Sequence, residues 1–201
     1  MKGLEGVSRE TLAKLQVYAD TLIKWNPKIN LVAKSTIDDL WDRHIVDSLQ
    51  IMRHIPEGPQ HIVDIGSGGG FPGLVLAIAS AEAHPESSIT MIESDQRKSA
   101  FLRTVLRETG VSATVLTERI EKAPAQGADV LTARALADLS TLLEFAERHL
   151  KKEGTAFFLK GKNWRTELQK AREVWQFDCD EVTSETNVEA VLLVIKGIER
   201  V

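Results

Sequence analysis

The sequence predicts an α/β fold: a seven-stranded, mostly parallel sheet with helices on both faces, a C-terminal antiparallel hairpin and an N-terminal helical cap. Three observations predict it. The first 55 residues read as helical, with apolar side chains recurring at helical spacing; from His61 onward, short apolar runs alternate with helical stretches; and the last two apolar runs have no helix between them. Strands alternating with helices require right-handed crossovers and a parallel sheet covered on both faces, whereas two strands in direct succession form a hairpin. At 201 residues and 43% hydrophobic, the chain can bury one substantial core, so residues 1–201 read as a single domain with a cap over 1–55 and an α/β core over 61–201.

Taken in order, Leu12, Leu15, Ala19, Leu22 and Ile23 recur at helical spacing, and Asn26-Pro27 is expected to stop that helix. Thr36 and Asp39 form a capping-box pattern that starts a second helix, which runs through Leu40, Ile45, Leu49 and Met52 to the break at Pro56-Glu57-Gly58-Pro59. Strands are expected at 62–65, 89–92, 114–116, 130–132, 155–159, 177–182 and 190–195, with helices at 73–81, 96–109, 138–150 and 165–175.

Charge and composition narrow the function classes. A net charge of −4 argues against a protein that coats nucleic acid by bulk attraction, so any RNA contact has to be local. Two local basic stretches exist: 21–37 holds Lys24, Lys28 and Lys34 without an acid, and 158–172 holds Lys160, Lys162, Arg165, Lys170 and Arg172 against Glu167 alone. No apolar run approaches the roughly 18 residues of a membrane span, which predicts a cytoplasmic protein without a membrane partner. The single cysteine, Cys179, has no partner for a disulfide or a zinc cluster, and no metal is expected.

The densest chemical signal is Asp64-Ile65-Gly66-Ser67-Gly68-Gly69-Gly70-Phe71-Pro72-Gly73, at the handover from the first central strand to a helix. Residues without Cβ let the backbone approach a bound nucleoside closely, and the helix behind presents free N–H groups. Pro72 suits that helix's first turn. Twenty residues past Gly73, the second strand ends at Glu93, whose carboxylate can accept hydrogen bonds from ribose hydroxyls. Gly68, Gly70 and Gly73 also satisfy the G-x-G-x-x-G spacing of a dinucleotide site, but that register asks the strand to end two residues beyond its apolar run. A nicotinamide oxidoreductase would further need a proton donor, and the one tyrosine, Tyr18, lies in the N-terminal helix.

The Asp-x-Gly-x-Gly-x-Gly register from Asp64 resembles the first motif of class I, Rossmann-like S-adenosylmethionine-dependent methyltransferases. Trp25-Asn26 with Asn30-Leu31, Arg43-His44 with Asp47-Ser48, Arg119-Ile120-Glu121, Ala133-Arg134-Ala135 and Leu159-Lys160-Gly161 extend the likeness. Nearly the whole chain is similar to the ribosomal RNA small subunit methyltransferase G family, also called glucose-inhibited division protein B. Val32 and Ala133 depart from the threonine and serine common there.

The resemblance implies an enzyme that uses S-adenosyl-L-methionine to methylate N7 of a guanine in the 16S rRNA of the small ribosomal subunit; a monomer is expected because nothing in the sequence demands a dimer. It implies that Gly66 and Phe71, with Ser67 and Gly68 beside them, hold the methionine side of the cofactor, Glu93 the ribose, and Ile120 and Glu121 the adenine. Arg134 would sit near the sulfonium and the target base. N7 of guanine has a free lone pair, so no general base is needed and Arg134 is expected to position rather than to move a proton. Its competing structural partner is Asp138, and Arg43 and Asp47 have ion-pair spacing on the second helix. RNA contacts are expected from Lys34, His44, Lys160, Lys162 and Arg165; Trp25, Trp41, Trp164 and Trp175 are expected to pack in the core or between helices, with Trp164, inside the basic stretch, the best exception for stacking on a base. Two other readings are a non-catalytic nucleotide- or RNA-binding module and a methyltransferase with another substrate.

Overall fold

A computed structural model describes residues 3–201. Its single sheet has the order β3-β2-β1-β4-β5-β7-β6. The strands are β1 (His61–Ile65), β2 (Ser88–Ile92), β3 (Thr114–Leu116), β4 (Ala128–Arg134), β5 (Leu150–Lys160), β6 (Trp175–Thr183) and β7 (Val191–Arg200). The first five run parallel; β7 is antiparallel to both β5 and β6, giving the expected C-terminal hairpin. Strand order reverses between β1 and β4, the switch point at which open α/β sheets bind ligands beyond their carboxyl ends.

The N-terminal segment contributes α1 (Arg9–Ile29), capped by Ser8, whose hydroxyl accepts from the Thr11 N–H. Its fully buried Leu15, Tyr18 and Leu22 join the same apolar cluster as Leu74, Val75 and Phe101. Those three belong to α3 (Gly73–Ala83) and α4 (Gln96–Thr109), which cover one face of the sheet. The other face is covered by α5 (Leu139–His149) and α6 (Trp164–Ala171), with Leu142, Leu143 and Leu168 in a second cluster. No helix among the described residues is long and apolar enough to cross a membrane.

Several boundaries differ from expectation, each for a local reason. Helix α1 continues through Pro27, because in the last turn proline forfeits a single hydrogen bond; the helix ends where Asn30 turns left-handed and Asn26 Oδ1 accepts from Leu31 and Val32. Thr36 does not cap a helix. It lies in a 3-10 turn (Lys34–Thr36) and donates to the Ala33 carbonyl. The helical stretch behind it begins as a π turn (Trp41–Val46), passes through the short α2 (Asp47–Leu49) and ends as a 3-10 turn (Gln50–His54). Leu150 is extended, so α5 ends at His149 and β5 gains its first residues, and Trp175 belongs to β6, paired with Arg200, instead of ending α6.

Candidate active site

Two clefts open at the carboxyl ends of the central strands. The first, about 530 Å³, is lined by Gly66, Ser67, Gly68, Gly69 and Phe71 from the β1–α3 loop, Glu93 from the end of β2, Ile120 and Glu121 beyond β3, and Arg134 and Ala135 at the end of β4. The loop is anchored to neighbouring strands: Gly66 and Ser67 N–H donate to the Ile92 carbonyl at 2.9 and 3.2 Å, and the Tyr18 hydroxyl donates to the Gly69 carbonyl at 2.5 Å. Gly66 has a φ of 65°, and a Cβ there would lie 2.5 Å from Leu136 Cδ1, so any larger residue is strained in the turn and must displace the Leu136 side chain.

Beneath the loop, Asp64 ties three elements together. Its fully buried carboxylate accepts from Thr132 Oγ1 of β4 at 2.8 Å and from the Gly73 N–H at the start of α3 at 3.2 Å. Burial pushes this carboxyl up to about 6, against the opposing pull of those hydrogen bonds and of Arg134.

Glu93 is buried at the end of β2 and takes the Gly68 N–H on Oε2 at 2.8 Å and the Asp95 N–H on Oε1 at 2.7 Å. A carboxylate offers about four acceptor sites. Glu93 lines the cleft with acceptor capacity to spare for the paired hydroxyls of a ribose, so the residues present fit an adenosyl cofactor.

The second cleft, about 690 Å³, shares Arg134 and Ala135 with the first. Thr36, Arg43, His44 and Asp47 line it from the cap, Lys160 to Asn163 from the end of β5, Glu167 from α6, and Thr186, Asn187 and Ala190 from the β6–β7 turn. Arg134 is therefore the seam. Its guanidinium lies 4.7 Å from the Phe71 ring centroid, Nη1 donates to the Arg43 carbonyl at 3.1 Å, and Asp47 Oδ2 stands 3.9 Å away. Burial lowers its pKa and Asp47 opposes that effect. The expected Arg134–Asp138 pair does not form, since Asp138 caps α5 through Thr141. Nor does Arg43 pair with Asp47: the wider π turn takes residues four apart off a common face, and Asp47 meets Arg134, Ser184 and Thr186 instead.

His44 stacks on Phe71 with centroids 5.0 Å apart. The Thr36 hydroxyl spends its hydrogen on the Ala33 carbonyl, so the 2.8 Å contact has His44 Nε2–H donating, and Nδ1 is buried without a partner. Burial, helped by Arg134 and Arg43, depresses the imidazole to about 3. It is a neutral ring at physiological pH. An unfolded histidine takes up its proton near 6.5 while this one resists to about 3, so folding stability falls as pH drops below 6.5. We expect His44→Asn to lose less melting temperature than the parent protein between pH 7.5 and 5.5; equal losses in thermal melts would show that His44 carries no acid sensitivity.

The expected RNA contacts separate. His44, Lys160 and Lys162 line the second cleft, whereas Lys34 and Arg165 are exposed and line neither cleft. The Lys160 side chain is only 9% exposed; its ammonium is turned inward to Glu167 Oε2 at 2.5 Å and the Ala137 carbonyl at 2.8 Å, away from the solvent-facing position expected of a phosphate contact. Trp164 is buried in the core under the Arg165 guanidinium and cannot stack on a base without leaving it. Sequence reasoning missed Thr186, Asn187 and Ala190, because residues brought in by a hairpin turn leave no local motif, and it missed Asn163, which lies just before α6 beside the basic residues that drew attention there.

Together, β7 inserted antiparallel between β5 and β6, the anchored glycine loop and the part-satisfied Glu93 set the fold apart from the dinucleotide-binding order 3-2-1-4-5-6. They define a class I S-adenosylmethionine-dependent methyltransferase. The fold is shared with the ribosomal protein L11 methylase of Lactobacillus delbrueckii subsp. bulgaricus (TM-score 0.60, 17% identity, covering 77% of this chain and 78% of that one). It is shared too with a TehB-like SAM-dependent methyltransferase from Corynebacterium glutamicum (TM-score 0.58, 15% identity, 92% and 98% covered).

The chain belongs to the rRNA small subunit methyltransferase G family, whose model matches residues 11–193. The ribosomal RNA small subunit methyltransferase G of Ruegeria sp. (strain TM1040) is 59% identical over 97% of this chain and 95% of that protein. That of Rhodospirillum centenum is 51% identical over 96% and 87%.

Proposed function

We propose that the protein transfers a methyl group from S-adenosyl-L-methionine to N7 of a guanine in 16S rRNA, with the small ribosomal subunit as its partner. The observation that carries this reading is the meeting of two clefts at Arg134 and Ala135, one built for an adenosyl group and one lined by cationic side chains, in a chain of this family. One chain supplies the described lining of both clefts, so a monomer of one domain suffices, working in the cytoplasm where its ribosomal partner is assembled.

The cofactor supplies an electrophilic methyl group. Gly66, Ser67, Gly68 and Phe71 hold its methionine side, Glu93 accepts from the ribose hydroxyls, and Ile120 and Glu121 border the adenine. Arg43 and Lys162 meet RNA phosphate, with the exposed Lys34 and Arg165 as outlying contacts. N7 brings its own lone pair, so the protein's task is alignment of donor and acceptor, which Arg134 serves from its pinned position on Phe71. A neutral, stacked His44 fits that scheme, since no proton has to leave the base.

The test is transfer of labelled methyl to small subunits and to 16S rRNA lacking the modification, followed by nucleoside analysis. We expect 7-methylguanosine. Cofactor binding without transfer to either acceptor would refute the rRNA assignment, and label on another atom would refute N7.

A further inference from the structure

We propose that Asp47 is the fixed counter-charge of the methyl-transfer step, placed to stabilise the positive charge that arrives on the acceptor base. The inference rests on the N7-guanine reading above. Attack by N7 forms an N–CH3 bond while the methyl C–S bond breaks and leaves its electron pair on sulfur. No proton moves. The donor changes from a cation to a neutral thioether and the guanine from neutral to cationic, so one unit of positive charge crosses from the first cleft into the second. A negative group on the acceptor side gains interaction energy as the transition state forms, and its effect is largest when it is already held in place.

Among the described residues lining the second cleft, Asp47 and Glu167 are the carboxylates, set among Arg43, Arg134, Lys160 and Lys162. Glu167 is already matched: Oε2 accepts from Lys160 at 2.5 Å and from the Leu139 N–H at 3.0 Å. Asp47 is held by uncharged donors on one oxygen and meets a single cation, Arg134, at long range on the other. Its Oδ1 accepts from Gln50 Nε2 at 2.9 Å, Ser184 Oγ at 2.9 Å and Thr186 Oγ1 at 3.2 Å, all uncharged donors. Its Oδ2 has the Arg134 guanidinium at 3.9 Å. The side chain is 14% exposed, so water screens it weakly. Asp47 lines the acceptor cleft and not the donor cleft, and the charge therefore moves toward it. It also offsets Arg134, which otherwise would oppose a cation on either side of the seam.

Asp47→Asn keeps the shape and removes the charge. We expect the single-turnover rate at saturating cofactor to fall about 100-fold. Affinity for the neutral product S-adenosylhomocysteine, measured by calorimetry, should stay within about twofold, while affinity for the cationic S-adenosylmethionine should weaken about fivefold, because Arg134 loses its partner. A rate within threefold of wild type overturns the inference, as does an equal loss for both cofactor forms, the signature of a structural role. Should Asp47→Asn fail to fold, the double variant Ser184→Ala/Thr186→Val frees the carboxylate without discharging it; a slower step with unchanged S-adenosylhomocysteine binding supports the inference and an unchanged rate overturns it. A wild-type protein that methylates no guanine N7 removes the underlying reading, whereas an active wild type with an equally fast Asp47→Asn removes this inference alone.

Discussion

Replacing Glu93 by alanine is expected to weaken cofactor binding, and with it methyl transfer at a fixed subsaturating cofactor concentration, on the order of 100-fold or more. Two ribose hydroxyls each forfeit a hydrogen bond to a charged acceptor, about 1.5–3 kcal/mol apiece. The sum is about 3 kcal/mol or more, on the order of a 100-fold loss of affinity or greater. The Gly68 and Asp95 amides lose their acceptor too, which loosens the glycine loop that forms the other wall. Glu93→Gln, which retains one carbonyl oxygen, should fall between alanine and wild type. Calorimetric titration with S-adenosylmethionine checks both variants, and wild-type affinity in Glu93→Ala would place the ribose elsewhere.

The largest effect on stability is expected from Gly70→Ala. Gly70 has a φ of 93°, where an L side chain is strained, and a Cβ there would overlap Leu74 Cδ1 and lie 2.9 Å from the Tyr18 hydroxyl. Neither neighbour can yield easily: Leu74 is fully buried in the first turn of α3, and Tyr18 is fully buried while donating to Gly69. Backbone strain and overpacking together should cost about 3 kcal/mol or more, a drop of roughly 10 °C in melting temperature for a chain of this length. A thermal melt within about 2 °C of wild type would show that the loop relaxes around the added methyl group.

Much of the donor side was legible in the residues themselves. The glycine run, its aspartate and a glutamate at the next strand end are local patterns, each dictated by one strand, one turn and one helix, so spacing along the chain translates directly into position in space. Helix α4 shows the same transparency: Asp95 accepts from the Arg97 and Lys98 N–H groups at its start, and a left-handed Gly110 ends it. The cap was less legible. Thr36 and Asp39 have the spacing of a capping box, yet the Thr36 hydroxyl is committed to Ala33 and His44, and a π turn displaces the ion pair that Arg43 and Asp47 would make on a regular helix.

What the sequence by itself determined is the α/β order of elements, the glycine loop with Glu93, and the family to which those motifs point. Tertiary structure alone decided which charges are free and which are matched. Lys160 reads as a surface cation and is turned inward to Glu167, and Asp47 reads as half of a helical ion pair and faces Arg134 across the acceptor cleft. The physical reason is range. Turns and strand ends are set by dihedral preferences and hydrogen bonds within a few residues, whereas the acceptor cleft is assembled from the cap, the ends of β4 and β5 and the β6–β7 turn, segments joined by hydrogen bonds such as Thr186 to Asp47 across 139 positions. These contacts exist only once the sheet has closed the distance.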